Sequence, residues 1–128
     1  MINITLPWPP SCNSYYRTVT LPGRGQVTLI SAQGRKYKQI VAGLCVPYRK
    51  LAFVKGQKLA VKILAFPPDK RKRDIDNCLK AIADSVKGLL FHDDGDIDDL
   101  HIVRREVVKN GSVIVFIREV DPVDNPAF

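Results

Sequence analysis

Residues 59–65 alternate between two sets of side chains, and this period constrains the fold more than any other feature of the sequence. One set is apolar throughout: Leu59, Val61, Ile63 and Ala65. Because successive side chains of a β-strand point to opposite faces, a period of two is typical of a strand. The segment is therefore predicted to be a strand with one buried face. Pro67 and Pro68 end it, since proline donates no ladder hydrogen bond.

Four other segments carry signals of strands. Alternation or β-like composition marks residues 2–6, 27–30, 100–109 and 112–120. Asn110-Gly111 separates the last two segments, and this dipeptide favours the tight two-residue turn of a β-hairpin. We therefore expect the last two strands to pair with each other.

Helical periodicity occurs twice. Ser31 would cap a first helix that ends near Pro47. Its apolar positions are Tyr37, Ile40, Val41, Leu44 and Tyr48. A second helix is predicted from about Asp74 to Leu90, and its apolar face would pack on the sheet. That face comprises Ile75, Leu79, Ile82, Val86 and Leu89 or Leu90, and the opposite, accessible side comprises Asp76, Lys80, Asp84 and Lys87.

These elements predict an α+β fold, a two-layer sandwich in which a mostly antiparallel sheet packs two helices on one face. A chain of 128 residues is long enough for one core and too short for two. Residues 1–120 are therefore expected to form a single domain. Residues 121–128 contain two prolines and show little periodicity, so we expect a flexible C-terminal tail.

The composition narrows the class of protein and its partners. No apolar run approaches the ~20 residues that span a bilayer, and the N-terminus does not show the charged start and apolar stretch that are typical of a signal peptide. We therefore expect a cytoplasmic protein without a membrane partner. The net charge of +7 favours a polyanion such as nucleic acid. Cys12, Cys45 and Cys78 are far apart, which argues against disulfides and zinc and predicts reduced core or near-surface residues, with Cys78 in the core.

Opposite charges meet just after the predicted strand at residues 59–65. Four cations lead into two carboxylates: Lys70, Arg71, Lys72 and Arg73 precede Asp74 and Asp76. Cations attract a polyanion whereas closely spaced carboxylates repel one. The two are useful together mainly where a divalent cation binds the acids and contacts a phosphate. The pattern indicates a metal-dependent enzyme that acts on a nucleic-acid backbone, and a basic loop that ends in a helix cap is the alternative.

A second acidic segment follows the predicted second helix. It contains Asp93, Asp94, Asp96, Asp98 and Asp99. A dense acidic pocket in a basic protein suggests cation binding, and a solvated loop is the alternative. In the predicted fold this segment reaches the same edge of the sheet as the start of the second helix. A third carboxylate would then join Asp74 and Asp76, and Lys80, one turn beyond Asp76, would face the same way.

Other candidate residues have two interpretations each. Trp8, Tyr15 and Tyr16 could stack on exposed bases, although aromatic residues in a proline-rich segment also pack in a core or at a dimer contact. Asp84 lies one helical turn beyond Lys80 and could support the metal ligands or be solvated. His92 and His101 are not favoured as ligands or bases, because one lies beside a better carboxylate site and the other in a strand.

Three motifs occur in order along the chain. The first runs Ile4-Thr5-Leu6-Pro7-Trp8-Pro9-Pro10-Ser11 and continues through Asn13 to Tyr15, Tyr16 and Arg17. The second is Arg73-Asp74-Ile75-Asp76-Asn77 followed by Lys80, and the third is Asp93-Asp94. Together they resemble the RusA family of Holliday junction resolvases over nearly the whole chain, from about Ile2 to the final strand.

The resemblance implies a role for each matching residue. Asp74, Asp76 and Asp94 would bind metal, with Asp93 as the alternative to Asp94, and Lys80 would be the catalytic lysine. Apart from the resemblance, positive charge and aromatic rings predict DNA contacts at Lys70, Arg71, Lys72, Arg73, Tyr15, Tyr16 and Arg17. The loop at residues 24–26 and the additional Asp96, Asp98 and Asp99 depart from the family's pattern.

The resemblance also implies an activity. A RusA-like protein would be a homodimeric endonuclease that uses Mg²⁺, one or two ions per active site, with Mn²⁺ as a substitute. It would resolve branched DNA, the four-way junction, by paired symmetric nicks in recombination and repair, and it would typically be encoded by a phage or prophage. A non-catalytic basic nucleic-acid-binding protein is the alternative.

Overall fold

A computed structural model describes residues 1–77 and 79–120 of the chain. The predictions for Cys78 and for the tail at residues 121–128 lie outside this range. The strands are β1 (Ile2–Leu6), β2 (Tyr16–Leu21), β3 (Gly25–Ile30), β4 (Leu59–Phe66), β5 (Ile97–Arg104) and β6 (Ser112–Glu119). The α-helices are α1 (Cys12–Tyr15), α2 (Ala32–Cys45) and α3 (Leu79–Val86). Short 3₁₀ helices cover Val46–Leu51 and Asp94–Asp96.

The main sheet has the strand order β1-β6-β4-β5. β6 is antiparallel to both of its neighbours, and β5 runs parallel to β4. Alternate side chains of β1, β4 and β6 are buried in one core with side chains of α2 and α3. The α+β sandwich predicted from the sequence is therefore confirmed. No helix in residues 1–77 or 79–120 has the length and apolar character needed to cross a membrane.

The predicted pairing of the last two strands is wrong. β4 lies between β5 and β6, so these two strands do not touch as a hairpin. After β5 the chain passes along the end of β4, where the Arg105 N–H donates to the Ala65 carbonyl and the Val108 N–H to the Pro67 carbonyl. Asn110 (φ 67°) and Gly111 (φ 71°) do form a left-handed turn. Residues 105–108 cross the end of β4, so the turn that follows leads into β6 on the opposite side of β4 from β5.

The second helix is shorter than the predicted span of residues 74–90. Before α3 the backbone hydrogen bonds join residues three apart, as in a turn, instead of four apart, as in an α-helix. They run from the Asn77 N–H to the Asp74 carbonyl and from the Leu79 N–H to the Asp76 carbonyl. Gly88 follows the end of α3 and has a φ of 81°. A right-handed helix cannot continue through this left-handed backbone conformation. Asp74 and Asp76 therefore lie in a turn ahead of α3, and Ile75 is exposed instead of packing on the sheet.

α2 begins as predicted, since the Ser31 hydroxyl accepts a hydrogen bond from the Gly34 N–H. Its buried positions are Gly34, Tyr37, Val41 and Cys45. Two other apolar positions of the predicted periodicity, Ile40 and Leu44, are 45% and 41% exposed. Gly34 lies so close to the end of α1 that a Cβ there would be 2.4 Å from the Tyr15 carbonyl oxygen. Cys45 is a free buried thiol, as the spacing of the cysteines predicted.

Candidate active site

Two cavities meet the turn that precedes α3. The larger, about 900 Å³, receives Asp74 from this turn and is called the basic cavity here. Its charged lining is Asp69, Lys70, Arg71, Lys72, Arg73, Asp74, Arg104, Arg105 and Glu106. The smaller, about 590 Å³, receives Asp76 and is called the acidic cavity. Its charged lining is Asp76, Lys80, Asp94 and Asp98. Asp74 and Asp76, which belong to one turn, thus line two different cavities whose net charges have opposite signs.

Asp69 organises the basic cavity. Arg73 Nη1 lies 2.8 Å from one carboxylate oxygen of Asp69, and the backbone N–H of Arg71 donates to the same carboxylate. These contacts hold the pKa of Asp69 well below its usual range, so the carboxylate remains ionised. Arg104 donates to the Arg73 carbonyl, and the Arg73 guanidinium lies over the Trp8 ring. Arg73 is therefore held in place by its neighbours.

Lys70 and Lys72 are the unrestrained cations of this loop. Both side chains are exposed, and neither forms an ion pair in the described part of the chain. Arg104 and Arg105 line the same cavity, although no motif in the sequence marks them. Their position follows from the parallel pairing of β5 with β4, which brings the end of β5 beside the loop after β4. A local sequence pattern does not contain that information.

The acidic cavity brings together three of the four predicted catalytic residues. Asp76 lies in the turn before α3, Lys80 is exposed near the start of α3, and Asp94 opens the 3₁₀ turn before β5. Apolar side chains from β4 and β6 form part of the lining beneath them: Val61, Ile63, Val115 and Ile117. The fourth predicted residue, Asp74, lies in the basic cavity.

The aspartates of the second acidic segment have distinct surroundings. Asp93 lies 3.8 Å from Lys87 Nζ, Asp96 accepts from the Gly56 N–H, and Asp99 lies 3.1 Å from His101 Nε2. Only the other two, Asp94 and Asp98, line the acidic cavity among the residues described. Of the two sequence alternatives, Asp94 therefore shares a cavity with Asp76, and Asp93 has a lysine partner.

The acidic cavity has the donor chemistry of a Mg²⁺ site. Asp76, Asp94 and Asp98 all offer carboxylate oxygens, the hard ligands that Mg²⁺ prefers. Within residues 1–77 and 79–120, however, no three metal-ligating side chains are gathered into one ready-made group. Burial, and then the charge of Asp94, raise the pKa of the nearby Asp84 carboxyl. The residues fit a bound cation, which would relieve this concentration of negative charge.

The two tyrosines of the first motif have different environments. Tyr15 is fully buried and its hydroxyl lies 3.2 Å from Ser85 Oγ, so the prediction that it stacks on bases is wrong. Tyr16 is half-buried, its hydroxyl donates to the Asp84 carboxylate, and its ring lies under the Lys80 ammonium. Arg17 is exposed on β2, and its contact with DNA stays a prediction.

Comparisons with known proteins agree with these features. A sequence model of the family described as endodeoxyribonuclease RusA matches residues 7–118. The crossover junction endodeoxyribonuclease of Enterobacteria phage HK97 is 36% identical over 119 residues, which cover 92% of this chain and 94% of the relative. The proteins of the same name from Escherichia coli K12 and Enterobacteria phage 82 are 36% and 37% identical over 118 residues, covering 91% of this chain and 93% of each relative. The chain therefore belongs to the RusA family of endodeoxyribonucleases.

Proposed function

We propose that this chain is a Mg²⁺-dependent endodeoxyribonuclease that resolves four-way DNA junctions by paired symmetric nicks in recombination and repair. The observation that carries the proposal is the shared lining of the acidic cavity by Asp76, Lys80 and Asp94, next to the basic loop at residues 70–73. A carboxylate site beside a polycationic loop suits a phosphodiester substrate. The family of the chain and the names of its relatives support the same activity.

The basic cavity would bind the DNA backbone. Lys70 and Lys72 have exposed ammonium groups that are free to contact phosphates. Arg73, held between Asp69 and Trp8, would present its remaining donors at a fixed place. Because Asp74 directly follows the basic loop and begins the turn before α3, a strand bound by the loop would pass directly to the acidic cavity.

The acidic cavity would carry the chemistry. Asp76 and Asp94 would hold the metal ion or ions, and Asp74 would complete the set from the adjoining cavity. Mg²⁺ held there, or Mn²⁺ in its place, would activate a water and stabilise negative charge on the phosphate and on the leaving oxygen. Lys80 would donate hydrogen bonds to a phosphate oxygen as negative charge builds there.

The substrate also suggests the assembly. A four-way junction has two-fold symmetry and resolution requires two matched cuts, so we propose a homodimer with two active sites. Its work on the DNA of a bacterial or phage-infected cell would place it in the cytoplasm. The relatives from phages HK97 and 82 favour a phage or prophage origin for such an enzyme.

A cleavage assay on synthetic DNA tests the proposal. With Mg²⁺ the protein should nick opposite strands of a four-way junction at symmetric positions, and it should leave a linear duplex of the same sequence intact. EDTA should stop cleavage without releasing the junction. The second candidate is a non-catalytic DNA binder, in which the basic loop would bind the backbone and the carboxylates would only be solvated. Junction binding without any Mg²⁺- or Mn²⁺-dependent nicking would establish that candidate instead.

Removing the two free lysines of the basic loop should weaken junction binding in a salt-dependent way. The double variant Lys70→Ala/Lys72→Ala loses up to two phosphate contacts, so the slope of log affinity against log salt should fall by about 2. The matched control is Lys36→Ala/Lys38→Ala, which removes two exposed charges from α2. Fluorescence anisotropy at several salt concentrations measures both slopes. Equal slopes for the two double variants would contradict a role of the loop in DNA binding.

A further inference from the structure

We propose that Tyr16 is a positioning residue that holds the Lys80 ammonium over its ring and directs it into the acidic cavity, and that Asp84 fixes Tyr16 for this role. The inference rests on the proposed function, in which Lys80 meets the scissile phosphate. It replaces the sequence-based expectation that Tyr16 contacts DNA.

The geometry joins three side chains on one side of α3. Lys80 Nζ lies 5.2 Å from the centroid of the Tyr16 ring, within the range of a cation–π contact. The Tyr16 hydroxyl donates to the Asp84 carboxylate. Lys80 and Asp84 are four residues apart on α3 and therefore neighbours on its surface. The ring is thus fixed at its hydroxyl end by Asp84, and its face is left for Lys80.

Tyr15 supplies the rigid support for this arrangement. It is fully buried, and its hydroxyl lies 3.2 Å from the hydroxyl of Ser85, which donates to the Ala81 carbonyl. The Tyr15 and Tyr16 rings meet edge to face with centroids 4.7 Å apart. Two consecutive tyrosines therefore dock on two consecutive residues of α3, Asp84 and Ser85. A ring held in this way has little freedom to swing out towards a base.

An aromatic partner suits a lysine that must act on a phosphate. In residues 1–77 and 79–120, Lys80 forms no ion pair with a carboxylate. A carboxylate partner would neutralise the ammonium and occupy its N–H donors. The face of a ring attracts the cation through its quadrupole and leaves donors available. Lys80 is therefore restrained and remains competent to bind a phosphate oxygen.

The decisive experiment measures whether Tyr16 acts through Lys80. Four proteins are compared by single-turnover cleavage of a four-way junction with protein in excess: wild type, Tyr16→Leu, Lys80→Ala and the double variant. Tyr16→Leu should lower the rate about 3- to 30-fold, the range expected for loss of a cation–π contact. In the Lys80→Ala background the same change should have no further effect. Tyr16→Phe keeps the ring and should recover most of the rate.

Binding and stability controls separate this role from others. Without metal, Tyr16→Leu should bind the junction with the wild-type Kd. Tyr48→Leu alters another half-buried tyrosine, outside both cavities, and should cleave at the wild-type rate. If Tyr16→Leu fails to fold in thermal unfolding, Asp84→Ala takes its place. That variant releases the Tyr16 hydroxyl and should slow cleavage only while Lys80 is present.

A metal-free NMR measurement gives an independent readout. The ring current of Tyr16 should shift the Lys80 side-chain resonances in wild type and Tyr16→Phe but not in Tyr16→Leu. Absence of that shift in wild type overturns the inference. So does a weakened Kd for Tyr16→Leu, which would indicate base stacking, or an equal loss of rate with and without Lys80. Wild type that never cuts a junction overturns the proposed function itself, whereas wild type and Tyr16→Leu cutting equally fast overturns only the inference.

Discussion

Asp76→Asn should reduce Mg²⁺-dependent junction cleavage by more than about 100-fold, because even the partners of metal ligands contribute about 10- to 100-fold. Asparagine keeps the size of the side chain and removes one negative charge from the acidic cavity. The Kd for the junction should remain close to wild type, since Lys70 and Lys72 lie in the other cavity. Single-turnover cleavage over a range of Mg²⁺ concentrations, with Kd measured in EDTA, tests both parts.

Other charge-removing variants test whether the expected effect is specific to the acidic cavity. Glu119→Gln removes the same charge from the end of β6, where the side chain bonds to Gln57, and it should cleave like wild type. Asp94→Asn should show a loss comparable to that of Asp76→Asn, and Asp93→Asn should show a smaller one because its carboxylate pairs with Lys87. Full cleavage by Asp76→Asn would remove that residue from the catalytic machinery.

Gly34→Ala should destabilise the protein even though alanine is the better helix former. The new Cβ would lie 2.4 Å from the Tyr15 carbonyl oxygen and 2.9 Å from Ile30 Cγ2. That carbonyl already accepts bonds from the Ser31 N–H and hydroxyl, so it cannot easily retreat. Overpacking costs about 1–3 kcal/mol, and a contact of 2.4 Å with a backbone atom should put this cost towards the upper end of that range, above the roughly 1 kcal/mol gained in helix propensity. Thermal unfolding should show a Tm several degrees lower.

Gly43→Ala is the matched control for this prediction. It lies in the same helix, and an added Cβ there would meet no atom within 4 Å. It should therefore stabilise the fold by about 0.5–1 kcal/mol. Cleavage by Gly34→Ala should also fall, since the displaced Tyr15 adjoins Tyr16. Equal or higher Tm values for both variants would mean that α2 has room to move away from Tyr15.

Elements with a strong local pattern were predicted well. The alternation at residues 59–65 became β4, and the Ser31 cap became the start of α2. The pairing of β5 and β6 was predicted wrongly because Asn110-Gly111 specifies a local turn and carries no information on which strand lies beside it. That choice was made by the bonds of residues 105–108 to the end of β4, which are tertiary contacts.

The residues of the candidate site also fall into two groups, those that the sequence identified and those that only the structure reveals. Asp76, Lys80 and Asp94 could be selected from motif and spacing, and the fold places them in one cavity. Tyr15 was predicted to contact DNA, but it is buried, and its hydrogen-bond partner Ser85 is 70 residues away in the chain. The link from Asp84 through Tyr16 to Lys80 was missed for the same reason. Side chains that support a site are recognised by their contacts, and those contacts join distant segments.

The central place of β6 has a consequence for protein synthesis. β6 joins β1 to β4, with Ile2 opposite Ile117, and its Val115 and Ile117 line the acidic cavity. A nascent chain that has not yet released Glu119 from the ribosome has neither a closed sheet nor a complete cavity. During translation the sheet therefore closes only after residues 112–119 have left the ribosome, and the acidic cavity gains its apolar lining from β6 in the same step.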